Sequence, residues 1–197
     1  MNRLSRDFYL QTDVLDIAKK LLGKVLVSQI GGQRTSGIIV ETEAYQAPED
    51  KASHAYNFKR TKRTETMYNP GGHAYIYLCY GLHHLFNVVT GLKGMPHAVL
   101  VRALQPLENI PGMLSRRKNK HPLKVTKGPA LLSEALAITV DMNGTDLVTS
   151  QLLWIENYLQ PEPGEIQQSK RIGVEYAQEC ASWEWRFYLK NNSWVSQ

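Results

Sequence analysis

The stretch Ile38-Ile39-Val40-Glu41-Thr42-Glu43-Ala44-Tyr45 places two carboxylates and a tyrosine in a segment otherwise built like a core strand. Its β-branched residues follow the turn-forming pair Gly31-Gly32, so it reads as a strand leaving a hairpin. Side chains alternate across a strand. On that period Ile39, Glu41, Glu43 and Tyr45 share one face, and Ile38, Val40, Thr42 and Ala44 the other. Burying acids on a core strand costs desolvation energy unless a partner or a reaction uses them. Either the acids sit at a wet strand end or pair with arginines, or the strand carries a site.

The length of 197 residues suits one domain over 1–197 with a substantial core. Lys and Arg number 23 against 18 Asp and Glu, and the net charge of +5 favours a polyanionic partner. Lys59, Arg60, Lys62 and Arg63 cluster in one loop, and Arg116, Arg117, Lys118, Lys120, Lys124 and Lys127 in another. Glu41, Glu43, Glu49 and Asp50 lie just before the first cluster. Such a pattern suits a charged backbone held beside a carboxylate base; two solvated loops are the plainer alternative. The cysteines, Cys79 and Cys180, form no CxxC pair, which leaves no metal spacing and no disulfide framework and points to a reducing compartment. The N-terminal residues lack the apolar core of a signal peptide, and no run is long enough to span a bilayer. A soluble monomer without a membrane partner is expected, cytoplasmic and nucleoid-associated in a bacterium, or nuclear in a eukaryote.

Apolar spacing at Val14, Leu15, Ala18, Leu21 and Leu22 predicts a helix over 13–22, capped by Thr12 or Asp13 and ended by Gly23. Strands are expected over 24–30, 38–45, 74–80, 85–90, 97–104, 152–156 and 186–190. A second helix opens at Lys127-Gly128-Pro129 and runs through Leu136. Residues 46–66 read as a long polar loop, of a length that usually carries function, and 109–124 as a basic connector. Short strands joined by hairpins, with helices at intervals, predict an α+β fold with a mostly antiparallel sheet.

Tyr75 and Tyr77 share a strand face and would serve as ordinary core residues. Tyr80 differs, because Tyr80-Gly81 falls where the hairpin reverses. An aromatic on such a tip suits a wedge that enters a groove and unstacks bases. Tyr45 and Tyr77 could sandwich a planar ring, with His54 capping it by a hydrogen bond.

In order along the chain, several motifs resemble the alkyladenine (3-methyladenine, methylpurine) DNA glycosylase family. They begin with Val40-Glu41-Thr42-Glu43-Ala44-Tyr45, Pro48-Glu49-Asp50 and Ala52-Ser53-His54. Next come Pro70-Gly71, Tyr75-Ile76-Tyr77, Tyr80-Gly81 with Asn87, and Val99-Leu100-Val101-Arg102-Ala103-Leu104. Lys127-Gly128-Pro129, Arg171-Ile172-Gly173-Val174, Arg186-Phe187-Tyr188 and Trp194-Val195-Ser196 follow, so the likeness covers nearly the whole chain. The resemblance implies a single α+β domain: a curved, mostly antiparallel sheet with flanking helices and a protruding β-hairpin, like the formyltransferase C-terminal domain. It implies excision of alkylated and deaminated purines from duplex DNA without a metal or organic cofactor. Glu43 then matches the acid that activates water, and Arg102 the arginine beside that water and the extruded nucleotide's backbone. Tyr45, His54 and Tyr77 match the residues that hold the base. Asn87 matches the residue that crowds the exocyclic amine of normal guanine, and Tyr80 the intercalating tyrosine. His73, His83 and His84 depart from the pattern, standing where apolar or aromatic residues are expected.

The chemistry of the residues agrees with that likeness. Cleaving an N-glycosidic bond builds positive charge on the sugar, which a nearby carboxylate stabilises while taking a proton from water. An already cationic base leaves unaided; a neutral one such as hypoxanthine also needs an acid, for which the sequence offers no candidate. Alternation does not separate Glu41 from Glu43. Only the resemblance chooses Glu43, which leaves Glu41 a supporting role beside a cation. The competing reading is a non-catalytic nucleic-acid-binding module with the same basic loops and tyrosine tip. An enzyme acting on free nucleosides would need neither feature. Asn109-Ile110-Pro111-Gly112 lacks the second glycine and downstream aspartate of a helix-hairpin-helix glycosylase, and no pocket lysine serves a lyase-type one.

Overall fold

Apolar, β-branched runs separated by turns build the strands β1 Val25–Ile30, β2 Gln33–Gln46, β3 Ala74–Cys79, β4 His83–Thr90, β5 His97–Glu108, β6 Leu153–Glu156, β7 Ile166–Ser169 and β8 Arg186–Leu189. The computed structural model describes residues 2–117 and 121–196; Lys118 and Lys120 of the second basic cluster lie outside the described residues. The strands form one open sheet in the order β3-β4-β5-β2-β1-β6, with β8 also on β2 and β7 on β8. Their pairings are all antiparallel. Gly31 and Gly32 close the β1–β2 hairpin with φ of 59° and 76°, left-handed at both central positions as a tight two-residue turn requires.

The α-helices are α1 Arg6–Tyr9, α2 Val14–Leu21, α3 Ile110–Arg116 and α4 Pro129–Ala135. Asp13 caps α2 as expected, accepting from the backbone N–H groups of Leu15 at 2.9 Å and Asp16 at 3.1 Å. The apolar face of α2 buries Val14, Ile17, Ala18 and Leu21 in the main core with Leu26, Ile39, Val99 and Phe187. The fold is therefore α+β, as predicted. Four elements depart in detail. β2 starts at Gln33 and β5 runs on to Glu108. β7, with the sequence Ile-Gln-Gln-Ser, offers too little apolar pattern to be read as a strand. The expected basic connector contains α3, whose early Pro111 and Gly112 disguise a helix capped by Asn109, which accepts from Gly112 N at 3.1 Å.

Strict alternation along β2 also fails, at the place that matters most. Ile39 pairs with Leu104 and Glu41 with Ala103, which leaves Val40 as an extra residue on β2. Glu41 with Ala103 is followed by Thr42 with Val101, which leaves Arg102 extra on β5. Each bulge reverses the sense of the alternation on its own strand. Ile39 therefore packs in the main core together with Ala44, and does not share the face of Glu41, Glu43 and Tyr45. Ile38 and Val40 join a second cluster with Trp154. The Thr42 hydroxyl, on the core side, donates to the Ala18 carbonyl of α2 at 2.9 Å.

Candidate active site

The facing bulges gather Glu41, Glu43 and Arg102. Arg102 Nε donates to Glu41 Oε1 at 2.9 Å, and its Nη1 lies 3.2 Å from Glu43 Oε1. Both glutamates are completely buried, yet their surroundings differ. Glu41 also accepts from Arg186 Nε at 2.7 Å, Ser196 N at 2.6 Å and Ser196 Oγ at 2.8 Å. Its oxygens are saturated by donors that tie β2, β5, β8 and the end of the chain together, which is the supporting role beside a cation expected for it. Glu43 accepts from the Tyr45 hydroxyl at 2.8 Å and from Ile172 N at 2.8 Å.

Tyr45, Arg102 and Ile172, the three partners of Glu43, all line a cavity of about 460 Å³. Glu43 itself stands directly behind them. The same wall includes His54, Tyr77, Tyr80 and Asn87, so the structure brings these predicted residues to one place. Tyr75 and Tyr77 project from one face of β3 with ring centroids 5.5 Å apart. The His54 ring meets Tyr77 edge-on at 4.6 Å, and its Nδ1 lies 2.9 Å from the Tyr75 hydroxyl. Asn87 is fixed by its amide, which donates to Tyr75 O at 3.1 Å and Leu85 O at 3.3 Å.

Burial, reinforced by the Arg63 and Lys59 charges, pushes the pKa of His54 down to about 4, so the ring is neutral at pH 7. Burial pushes the Tyr75 hydroxyl up to about 12 and raises Tyr77 as well. Tyr45 is raised by burial and by the Glu43 carboxylate beside it, which keeps its hydroxyl a donor toward that acid. Tyr80 occupies the turn between β3 and β4 and is 91 % exposed, with a left-handed φ of 51°. Neighbouring Leu82, also at the tip, is 75 % exposed.

Sequence reasoning missed several residues of the site. Arg171 is buried, donating from Nη2 to Asp50 Oδ1 at 2.8 Å and from Nη1 to the Ala44 carbonyl at 2.9 Å. Its guanidinium lies 4.8 Å from the Tyr45 ring centroid and 5.2 Å from that of Trp185, which backs Tyr45 and sets Ile172 against Glu43. The motif Arg171-Ile172-Gly173-Val174 was the available signal, but nothing in one sequence pairs it with Asp50. Arg63 and Tyr176 also line the cavity. The unusual histidines do not. His73 Nδ1 lies 2.7 Å from Pro70 O, and His84 Nδ1 accepts from Val140 N at 3.0 Å, anchoring the hairpin near its tip; His83 is exposed. Among the described residues no group of three or more His, Cys, Asp or Glu is placed to hold a metal, and no helix is long and apolar enough to cross a membrane.

The site is thus a buried acid behind an aromatic cavity, with an exposed tyrosine among the residues that line it. The family model described as Methylpurine-DNA glycosylase (MPG) matches residues 7–193, and the chain belongs to that family. It is thus a DNA glycosylase, a hydrolase of N-glycosyl bonds whose substrate is DNA. Among its relatives, a protein of Chlamydia abortus is 50% identical over 188 residues, covering 94% of this chain and 97% of its own. One from Desulfitobacterium hafniense is 46% identical over 204 residues, covering 100% and 99%. One from Clostridium acetobutylicum is 45% identical over 202 residues, covering 98% and 97%. All three carry the name "Putative 3-methyladenine DNA glycosylase".

Proposed function

We propose that this chain swings a damaged purine out of duplex DNA into the cavity and releases it by hydrolysis, with Glu43 activating the water. The observation that carries this reading is the set of partners around Glu43: the Tyr45 hydroxyl, the Arg102 guanidinium and Ile172 N–H, each of them part of the cavity wall. A water that takes over the Tyr45 or Ile172 contact sits between the acid and an inserted nucleotide. The bond from the sugar C1′ to the base breaks, and its electron pair leaves with the base. The water adds to C1′ and gives its proton to Glu43, while the carboxylate offsets the charge that develops on the sugar.

Tyr45 and Tyr77 stack on the inserted base, a contribution of roughly 1–3 kcal/mol per base. His54 and Asn87 frame its edges. Tyr80, at the tip of the hairpin, fills the gap left in the duplex, and the exposed Lys59, Lys62 and Lys124 of the basic loops meet the phosphates. The enzyme acts as a monomer, without a metal or organic cofactor, on alkylated purines and on deaminated ones; 3-methyladenine, named for the relatives, is the first substrate to try. It works on chromosomal DNA inside the cell and so begins base excision repair.

The test uses duplex oligonucleotides that each bear one lesion, followed by alkali to reveal abasic sites. Glu43→Gln should abolish base release while lesion binding persists. Normal turnover by that variant refutes the assignment of Glu43, whereas a parent that binds lesion duplex and releases no base favours a binding module whose carboxylate has no chemical role.

A further inference from the structure

Two charged side chains line the cavity among the described residues, Arg63 and Arg102, and no carboxylate does. Arg102 is neutralised by Glu41 and Glu43. Arg63 has no such partner among the described residues, whereas its neighbour Arg60 pairs with Glu65 at 2.6 Å. The Arg63 guanidinium instead rests 4.7 Å from the Tyr77 ring centroid and places Nη2 3.4 Å from His54 Nε2. It touches the very rings that are to hold the base. Burial first, and then the Arg63 and Lys59 charges, lower the pKa of His54 on this wall.

We propose that Arg63 sorts purines by charge, favouring neutral bases with an acceptor edge over cationic alkylated ones. This rests on the reading that the cavity takes the extruded base. Two effects act in the same direction. An uncompensated guanidinium at ring-contact distance repels a base that is itself a cation. Its planar fork of donors also matches the O6 and N7 acceptors of a 6-oxopurine such as hypoxanthine. Methylation at N7 removes one of those acceptors and adds the charge.

The test compares Arg63→Gln and Arg63→Lys with the parent by single-turnover release of hypoxanthine and of 7-methylguanine from otherwise identical duplexes. Arg63→Gln should raise the ratio of 7-methylguanine to hypoxanthine rates by roughly 5–10-fold. Arg63→Lys, which keeps the charge and loses the fork, should slow hypoxanthine release without speeding 7-methylguanine. An unchanged ratio overturns the proposal. So do equal losses on both lesions with a shallower salt dependence, the mark of a phosphate contact. A parent protein that releases neither base overturns the cavity reading and this proposal with it, a result distinct from an unchanged ratio.

Discussion

Glu41→Gln should cost mainly stability, and Glu43→Gln mainly rate. Glu41 faces two guanidinium groups on side chains only 8 % and 13 % exposed, and accepts the backbone N–H and hydroxyl of Ser196. Glutamine keeps the shape, removes the charge, and turns one acceptor into a donor among donors. Removing one partner of a buried ion pair costs about 3–5 kcal/mol. For a chain of 197 residues each kcal/mol moves Tm by about 2–4 °C, so Glu41→Gln should melt roughly 6–20 °C below the parent. Glu43→Gln leaves Arg102 paired with Glu41 and disturbs the neutral contacts from Tyr45 and Ile172, for about 1–2 kcal/mol and about 2–8 °C. Thermal unfolding followed by circular dichroism, run beside single-turnover base release, reads both. Glu41→Gln should be the less stable variant and Glu43→Gln the slower one. The reasoning is refuted if Glu43→Gln melts lower, or if Glu41→Gln melts within about 2 °C of the parent.

Tyr80→Ser removes an aromatic that packs on nothing, so Tm should hold while affinity for lesion duplex falls by roughly 5–100-fold. Binding to a single-stranded lesion should suffer less, and equal losses on the two substrates would argue against a wedge. His54 is neutral in the folded protein down to about pH 4, against an ordinary value of 6.5. Between those values the unfolded chain takes up a proton that the folded one refuses. Stability that is complete above pH 6.5 therefore declines as pH falls toward 4, by about 2–3 kcal/mol. His54→Gln should flatten that decline, and urea unfolding of parent and variant at matched pH values checks it; parallel profiles contradict the assignment.

The sheet was legible wherever hydrophobic pattern and turn chemistry agreed, as in the Gly31-Gly32 hairpin and the Asp13 cap. The tyrosines of β3 could be placed on one face by alternation alone. The bulges could not, because neither Val40 nor Arg102 differs in kind from residues that pair normally. Their effect, Ile39 turned into the core, emerges only when two strands far apart in the chain are laid side by side. Asp50 and Arg171 escaped for the same reason: each reads as a solvated charge until the fold buries them against one another. Arg63 was visible as part of a basic cluster, but a run of cations does not say which member turns onto an aromatic ring.

Val40 and Arg102 offset each other, so the ladder beyond them continues unbroken while both strands have rolled over. Losing one insertion alone would slip the β2–β5 register by one residue, and the two positions, 62 apart in the chain, together set Arg102 against Glu41 and Glu43.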